Sequence, residues 1–195
     1  MKNIYSLLNA QEKQLCEIHQ YQKDEIIFHE DDKCEYVGLV NKGLVTISSY
    51  SYSGMEIVYN NIKEGQMFGN NLIFSSSPFY RGNVISKTNT EIILISKINL
   101  LALLKSNQSF LEKYLNLQSD FGLSTNAKLK TLSFSSAEER LLYHLQINEG
   151  HITYRSIASL AHELFLQRET LSRLITKLEK EQIIKRNNKD LFLIK

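Results

Sequence analysis

Gln167, Arg168, Glu169, Ser172, Arg173 and Lys177 fall on one side of a short segment. Its other side, Leu171, Leu174, Ile175 and Leu178, repeats at helical spacing. Side chains of these types, set on one exposed helix face, can read base edges. An arginine can donate to O6 and N7 of guanine together, and a glutamate can accept from N4 of cytosine. The same charges would also suit a plain solvated face, so the elements that position them matter.

Just upstream, Ile157, Leu160, Ala161 and Leu164 make a second apolar helical face. Phe165 to Gln167 leaves room only for a turn. Two short amphipathic helices at an angle are a helix-turn-helix, which sets its second helix in the major groove of DNA. After it, IIKRNNKDLFLI reads as two short strands around Asn187-Asn188, a hairpin wing. There Lys185, Arg186 and Lys189 would meet phosphate, which adds affinity and salt dependence but no sequence choice. Before it, FSSAEERLLYHLQIN reads as a capped helix. Ser135 or Ser136 precedes Glu138-Glu139, which suits an N-terminal dipole, and Leu141, Leu142 and Leu145 give the buried side. Glu149-Gly150 ends it.

From Lys97 to about Ser133 the chain reads as a long helical element with two stripes. Phe110, Tyr114, Leu117, Phe121 and Ser124 recur at steps of four and three. Leu111, Leu115, Thr125, Leu129 and Leu132 form a second stripe, with Gln118 and Gly122 in register. Such a helix is covered on two sides. One stripe can face its own domain and the other an identical helix across a two-fold axis; Phe110, Tyr114, Leu117 and Phe121 are assigned here to that dimer interface. Gly122 would permit close approach at the crossing.

Short runs rich in Ile, Val, Tyr and Phe fill residues 24 to 96: EIIFHE, EYVGLVNKG, LVTISSY, MEIVYNNI, GNVISKT and TEIILIS. Turn signals separate them, so an antiparallel sandwich or roll is expected. Met1 to about Lys23 reads as a helical lead-in with Leu7, Leu8, Leu15 and Ile18 on one stripe. The fold class is therefore α+β, in three parts: residues 1–105 as an antiparallel β-roll of jelly-roll type with an N-terminal helix, 106–133 as the long dimerisation helix, and 134–195 as a winged helix-turn-helix.

The 195 residues carry a net charge of +2, which argues against a protein that coats nucleic acid broadly. The excess lies at the C-terminal end: ten Lys and Arg against eight Asp and Glu from Phe134 onward, and thirteen against thirteen before it. No apolar run approaches bilayer length and no secretion signal is visible, so a cytoplasmic chain with no membrane partner is expected. Cys16 and Cys34, with seventeen residues between them, match no compact metal knuckle. They read as reduced thiols, or as a redox pair if their backbones come within about 7 Å.

LAHELFLQRETLSRLITKLEKEQII resembles the recognition segment of the CRP/FNR family of bacterial transcription regulators, in which RET followed three residues later by Arg marks the DNA-reading helix. Those residues are Arg168, Glu169, Thr170 and Arg173. The family's turn glycine is replaced by Phe165, so a looser or different turn is expected. FHEDDKCEYVGLVNKGLVTISSYSYSGMEIVYNNIKEGQMFG is similar to the family's cyclic-nucleotide-binding roll, including its Gly43, Gly65 and Gly69 turns. The resemblance covers about residues 20 to 195. It implies a homodimer, an inverted-repeat site on double-stranded DNA, RNA polymerase as a partner and no catalytic activity.

It also implies an effector pocket at Gly69, Asn70, Arg81, Gly82, Ser124 and Thr125. Arg81 stands where the family binds phosphate, and Ser124 and Thr125 where it touches the purine. Asn70 replaces the ribose-binding Glu, and Gly82 replaces a hydroxyl donor. Losing a charge-assisted hydrogen bond costs roughly 1.5–3 kcal/mol. A ligand other than cyclic AMP, or none, is expected, and no certain cofactor. Two other readings stay open. Cys16 and Cys34 would make a thiol-responsive regulator. A cupin-like β-roll enzyme would need histidines clustered with a carboxylate around a metal, yet His29-Glu30 is the roll's only adjacent histidine–carboxylate pair, His19 is its only other histidine, and no HxH spacing exists. His144, His151 and His162 read as surface or core-edge residues. No metal site is expected.

Overall fold

Alternation of apolar and polar residues folds the first half of the chain into two antiparallel sheets. Residues 3–194 are described in the computed structural model. They fall into two compact units that divide between Ser119 and Asp120.

In the first unit one sheet contains β1 (Glu17–Tyr21), β3 (Tyr36–Lys42), β6 (Met67–Phe68) and β8 (Thr90–Ser96), in the order β1-β8-β3-β6. The other contains β2 (Ile26–Phe28), β4 (Leu44–Tyr50), β5 (Glu56–Lys63) and β7 (Asn83–Ser86), in the order β2-β7-β4-β5. Val37, Leu39, Ile92 and Ile93 from the first sheet meet Val45, Ile62 and Val84 from the second in one core. Helix α2 (Lys97–Ser106) packs on β3 and β8. That second layer explains why β3 and β8 are buried almost continuously instead of at every other residue.

The lead-in is not the helix that its stripe suggests. Asn3 caps a single 3-10 turn over Ile4–Leu7, and Asn9 opens a four-residue helix α1 (Ala10–Lys13). The Asn9 side chain accepts from the Gln11 and Glu12 amides while the Glu12 carboxylate accepts from the Asn9 amide. This box starts a new helix where the old one would have to continue. From Glu17 the chain pairs with β8, Ile18 opposite Ile93, and Ile18 is left 55% exposed on an edge strand. Sheet pairing overrides the helical spacing. The expected strand runs from Glu25 to Ser96 all appear, and Met1 and Lys2 lie outside the described residues.

Helix α3 (Gln108–Ser133) passes from the first unit into the second, so the division falls inside it. The second unit then holds α4 (Ala137–Ile147), β9 (His151–Thr153), α5 (Ile157–Glu163), α6 (Arg168–Lys180), β10 (Ile184–Asn187) and β11 (Asp190–Leu193). Ser136 and Glu139 form the capping box of α4. Leu141, Leu145, Leu160, Leu164, Leu171, Ile175, Leu178 and Leu191 form its separate core. β10 and β11 make the expected hairpin. β9 adds an unexpected third strand, Leu191 opposite Ile152.

Candidate nucleic-acid interface and signal pocket

Ser156 caps α5 through a box with Ser159, and Leu164 closes the helix. Past that end, the Phe165 amide donates to the His162 carbonyl at 3.2 Å and the Leu166 amide to the Ala161 carbonyl at 2.8 Å. This bond pair is a Schellman motif, whose left-handed residue is usually glycine. Here it is Phe165, with φ +55°. The expected looser turn is therefore absent: the left-handed corner is kept, at a steric cost of about 1–2 kcal/mol. Leu166 packs against the unit's core, which holds the corner shut.

The corner delivers α6 with Leu171, Ile175 and Leu178 buried beneath it. Gln167, Arg168, Glu169, Thr170, Ser172 and Arg173 are exposed above. Gln167 makes no side-chain cap bond, so the helix opens with free amides. Thr176 and Lys180 share this exposed face and were missed, although steps of three and four from Arg173 carry them.

Lys177 has a different place. Its Nζ lies 2.8 Å from Glu138 Oε2 on α4 and 3.9 Å from Glu181 Oε1. Glu138 beside it raises its pKa. Lys177 braces α6 to α4. Arg186 similarly braces the wing, with Nη2 3.3 Å from Glu179 Oε2 on α6. Arg168, Arg173 and Lys185 pair with no carboxylate among the described residues. The wing closes by a two-residue loop, Asn188-Lys189. His151 stacks on Phe192 at 4.4 Å, and its Nε2 lies 3.1 Å from Asp190 Oδ1. Bonds from Thr153 and His151 hold the Asp190 carboxyl below its ordinary pKa.

Gly69 and Asn70 lie in the loop after β6. Gly69 has φ +75°, and a Cβ there would sit 2.8 Å from the Tyr36 carbonyl oxygen. The buried Asn70 side chain donates to Gln118 Oε1 on α3, and the Gln118 amide donates to the Asn70 carbonyl at 2.8 Å. Gly82 admits no side chain: a Cβ would lie 2.9 Å from the Ser48 carbonyl and 3.0 Å from the Tyr59 ring. Tyr59 is itself bonded to Ser49 at 2.5 Å. Arg81 is exposed and donates to Ser77 Oγ at 2.8 Å. Ser124 and Thr125 belong to the second unit, and both hydroxyls donate to the Phe121 carbonyl, at 3.1 and 2.9 Å.

The stripe assigned to a dimer faces inward. Phe110 is 0% and Tyr114 4% exposed, in the core of the roll, and Leu117 packs on the same core. Only Phe121 of those four is exposed. The free side carries the other stripe, with Leu115 53% and Leu129 60% exposed. Equal spacing marks a face but not which neighbour covers it.

The cysteines do not make a redox pair. Cys16 precedes β1 and Cys34 precedes β3, and β8 lies between those strands. Two strand spacings are about 9–10 Å, beyond the roughly 7 Å a disulfide spans. Burial pushes the Cys16 thiol up to about 11 and raises that of Cys34. Thiols so protonated are poor nucleophiles. Among the described residues, no three of His, Cys, Asp and Glu stand together as a metal site. No helix among them is long and apolar enough to cross a membrane.

An antiparallel roll, a long helix and a winged helix-turn-helix follow one another along the chain. Residues 18–107 match the cyclic nucleotide-binding domain family. The structure is similar to that of FixK2 from Bradyrhizobium japonicum, at 21% identity over 92% of this chain and 93% of that one, with a TM-score of 0.59. It is similar to a variant of CooA from Carboxydothermus hydrogenoformans, at 19% identity over 98% and 91%, with a TM-score of 0.72. It is also similar to the catabolite activator protein of Thermus thermophilus, at 20% identity over 98% and 93%, with a TM-score of 0.57. No curated protein matches the sequence. The chain carries a cyclic nucleotide-binding domain and has the fold of the CRP/FNR family transcription regulators.

Proposed function

We propose that this chain is a transcription regulator that binds an inverted-repeat site on double-stranded DNA as a homodimer. The carrying observation is the exposed face of α6. Arg168, Glu169 and Arg173 stand on a buried Leu171-Ile175-Leu178 ridge, and neither arginine is spent on a carboxylate among the described residues. Lys185 and Lys189, exposed at the wing and paired with no carboxylate among the described residues, are left for phosphate.

The two copies meet along the outward side of α3. Leu111, Leu115, Gly122, Thr125, Leu129 and Leu132 keep the steps of a two-helix seam except at Gln118, whose side chain turns to Asn70. The roll senses a ligand other than cyclic AMP, or none. Asn70 supplies no carboxylate to a ribose, its amide is already bonded to Gln118, and the Tyr59 ring crowds Gly82.

Selection of duplexes from a random pool tests this reading, with light scattering of the same sample. An enriched inverted repeat and a mass of two chains are expected. A pool that stays random at low ionic strength, or a mass that remains at one chain as the protein concentration is raised, would refute it.

A further inference from the structure

We propose that Arg140 is a positioning residue that sets the angle between the end of α3 and the start of the recognition helix. This rests on the DNA-binding reading above. Arg140 lies in the first turns of α4, half-buried, and pairs with no carboxylate among the described residues. Its guanidinium is spent on backbone instead. Nε donates to the Phe134 carbonyl at 3.0 Å, and Nη1 donates to the Phe165 carbonyl at 3.1 Å.

Those two carbonyls mark the two corners of the second unit. Phe134 is the first residue past α3. Phe165 is the left-handed turn residue, two places before Gln167. The donors of one guanidinium form a rigid planar fork, so holding both carbonyls fixes the corners against each other. The surroundings fix the first corner further: the Phe134 ring packs on Tyr143 at 5.1 Å, and Lys130 Nζ lies 4.7 Å over the same tyrosine. At the second corner the backbone sits in a region that a phenylalanine resists, so an external hold has a purpose there. Lys177 and Glu138 close α4 onto α6 from the other side.

The functional consequence concerns the pair of recognition helices. A dimer gains from its second half-site only if both helices meet the groove about one DNA turn apart. A corner angle that drifts leaves each half-site contact intact but spoils the match of the two. Arg140 should therefore govern binding to a whole site far more than binding to half of one.

The test uses the full chain, with Arg140→Met and Arg140→Lys, on a selected inverted repeat and on a duplex holding a single half-site. Avidity is lost when geometry forbids joint engagement, so Arg140→Met should lose about tenfold or more on the whole site and less than about twofold on the half-site. It should also accept repeats with one base pair added or removed. Its slope of affinity against salt should match wild type, because no phosphate contact has been removed. Arg140→Lys keeps the charge but can serve only one carbonyl, and should fall between. Equal losses on whole and half sites, a shallower salt slope, or an unchanged whole-site affinity would overturn the role of Arg140 alone. A wild-type chain that retains neither duplex would remove the DNA-binding reading and this inference with it.

Discussion

Gln118 and Asn70 exchange amides. The Gln118 side chain donates to the Asn70 carbonyl at 2.8 Å while the Asn70 side chain donates to Gln118 Oε1. Tyr114 adds a third bond to the same carbonyl at 3.3 Å. Together with Phe110 in the core below, these bonds fasten the start of α3 to the loop after β6. Asn70, which the sequence resemblance places in an effector pocket, is thus engaged by protein groups. Gln118→Ala should leave the buried Asn70 amide unpaired and cost roughly 1–3 kcal/mol in equilibrium denaturation. A midpoint equal to wild type would mean the exchange is dispensable.

Phe165 holds a left-handed backbone with its ring exposed. Phe165→Gly removes the Cβ conflict and should stabilise the second unit by about 1 kcal/mol, less the extra freedom of glycine in the unfolded chain. Thermal melts followed by circular dichroism would register it. A lower melting temperature would mean that the ring, and not the backbone, matters at this corner.

Arg173 and Lys185 should differ in kind. Arg173→Ala should weaken binding to the selected site by roughly 1–3 kcal/mol and relax base choice at one position of each half-site. Lys185→Ala should weaken all duplexes alike and reduce the salt slope by about one. Competition titrations at several salt concentrations separate the two, and identical profiles would misplace the recognition helix.

His144 gives a pH dependence. Burial against α5 lowers its pKa from 6.5, partly offset by Glu163, whose Oε2 lies 3.9 Å from its Nε2. The unfolded chain takes up the proton first as the solution is acidified. The stability tied to the neutral ring is thus whole above pH 6.5 and is lost as pH falls from there toward the folded pKa. Melting temperature should drop over that window, and His144→Gln should flatten the drop. An equal slope in the variant would assign the effect to other groups.

The long runs were legible because burial imposes their period. β3, β4, β5, β7 and β8 fall within runs that alternation or continuous apolarity marks, and α6 announces itself through Leu171, Leu174, Ile175 and Leu178. β6 and β9, at two and three residues, are too short to show a period. The lead-in stripe failed because pairing with β8 outweighs a local preference. Side-chain partners were hidden for a different reason. Glu138 is far from Lys177 in sequence, and nothing in the spacing of Arg140 announces two carbonyls, one of them twenty-five residues onward. Likewise Phe110 and Tyr114 lie on a regular stripe, but only the roll's core decides that the stripe points inward.

Along the free side of α3, leucine appears at 111 and 115 and again at 129 and 132, while the middle offers Gly122 and Thr125. Two copies paired along it, as proposed above, would be gripped at its two ends and only thinly at its waist. Copies held this way would associate modestly and come apart on dilution. Occupancy of a paired operator would then rise more steeply than protein abundance itself, turning a gradual change in expression into a sharp genetic response.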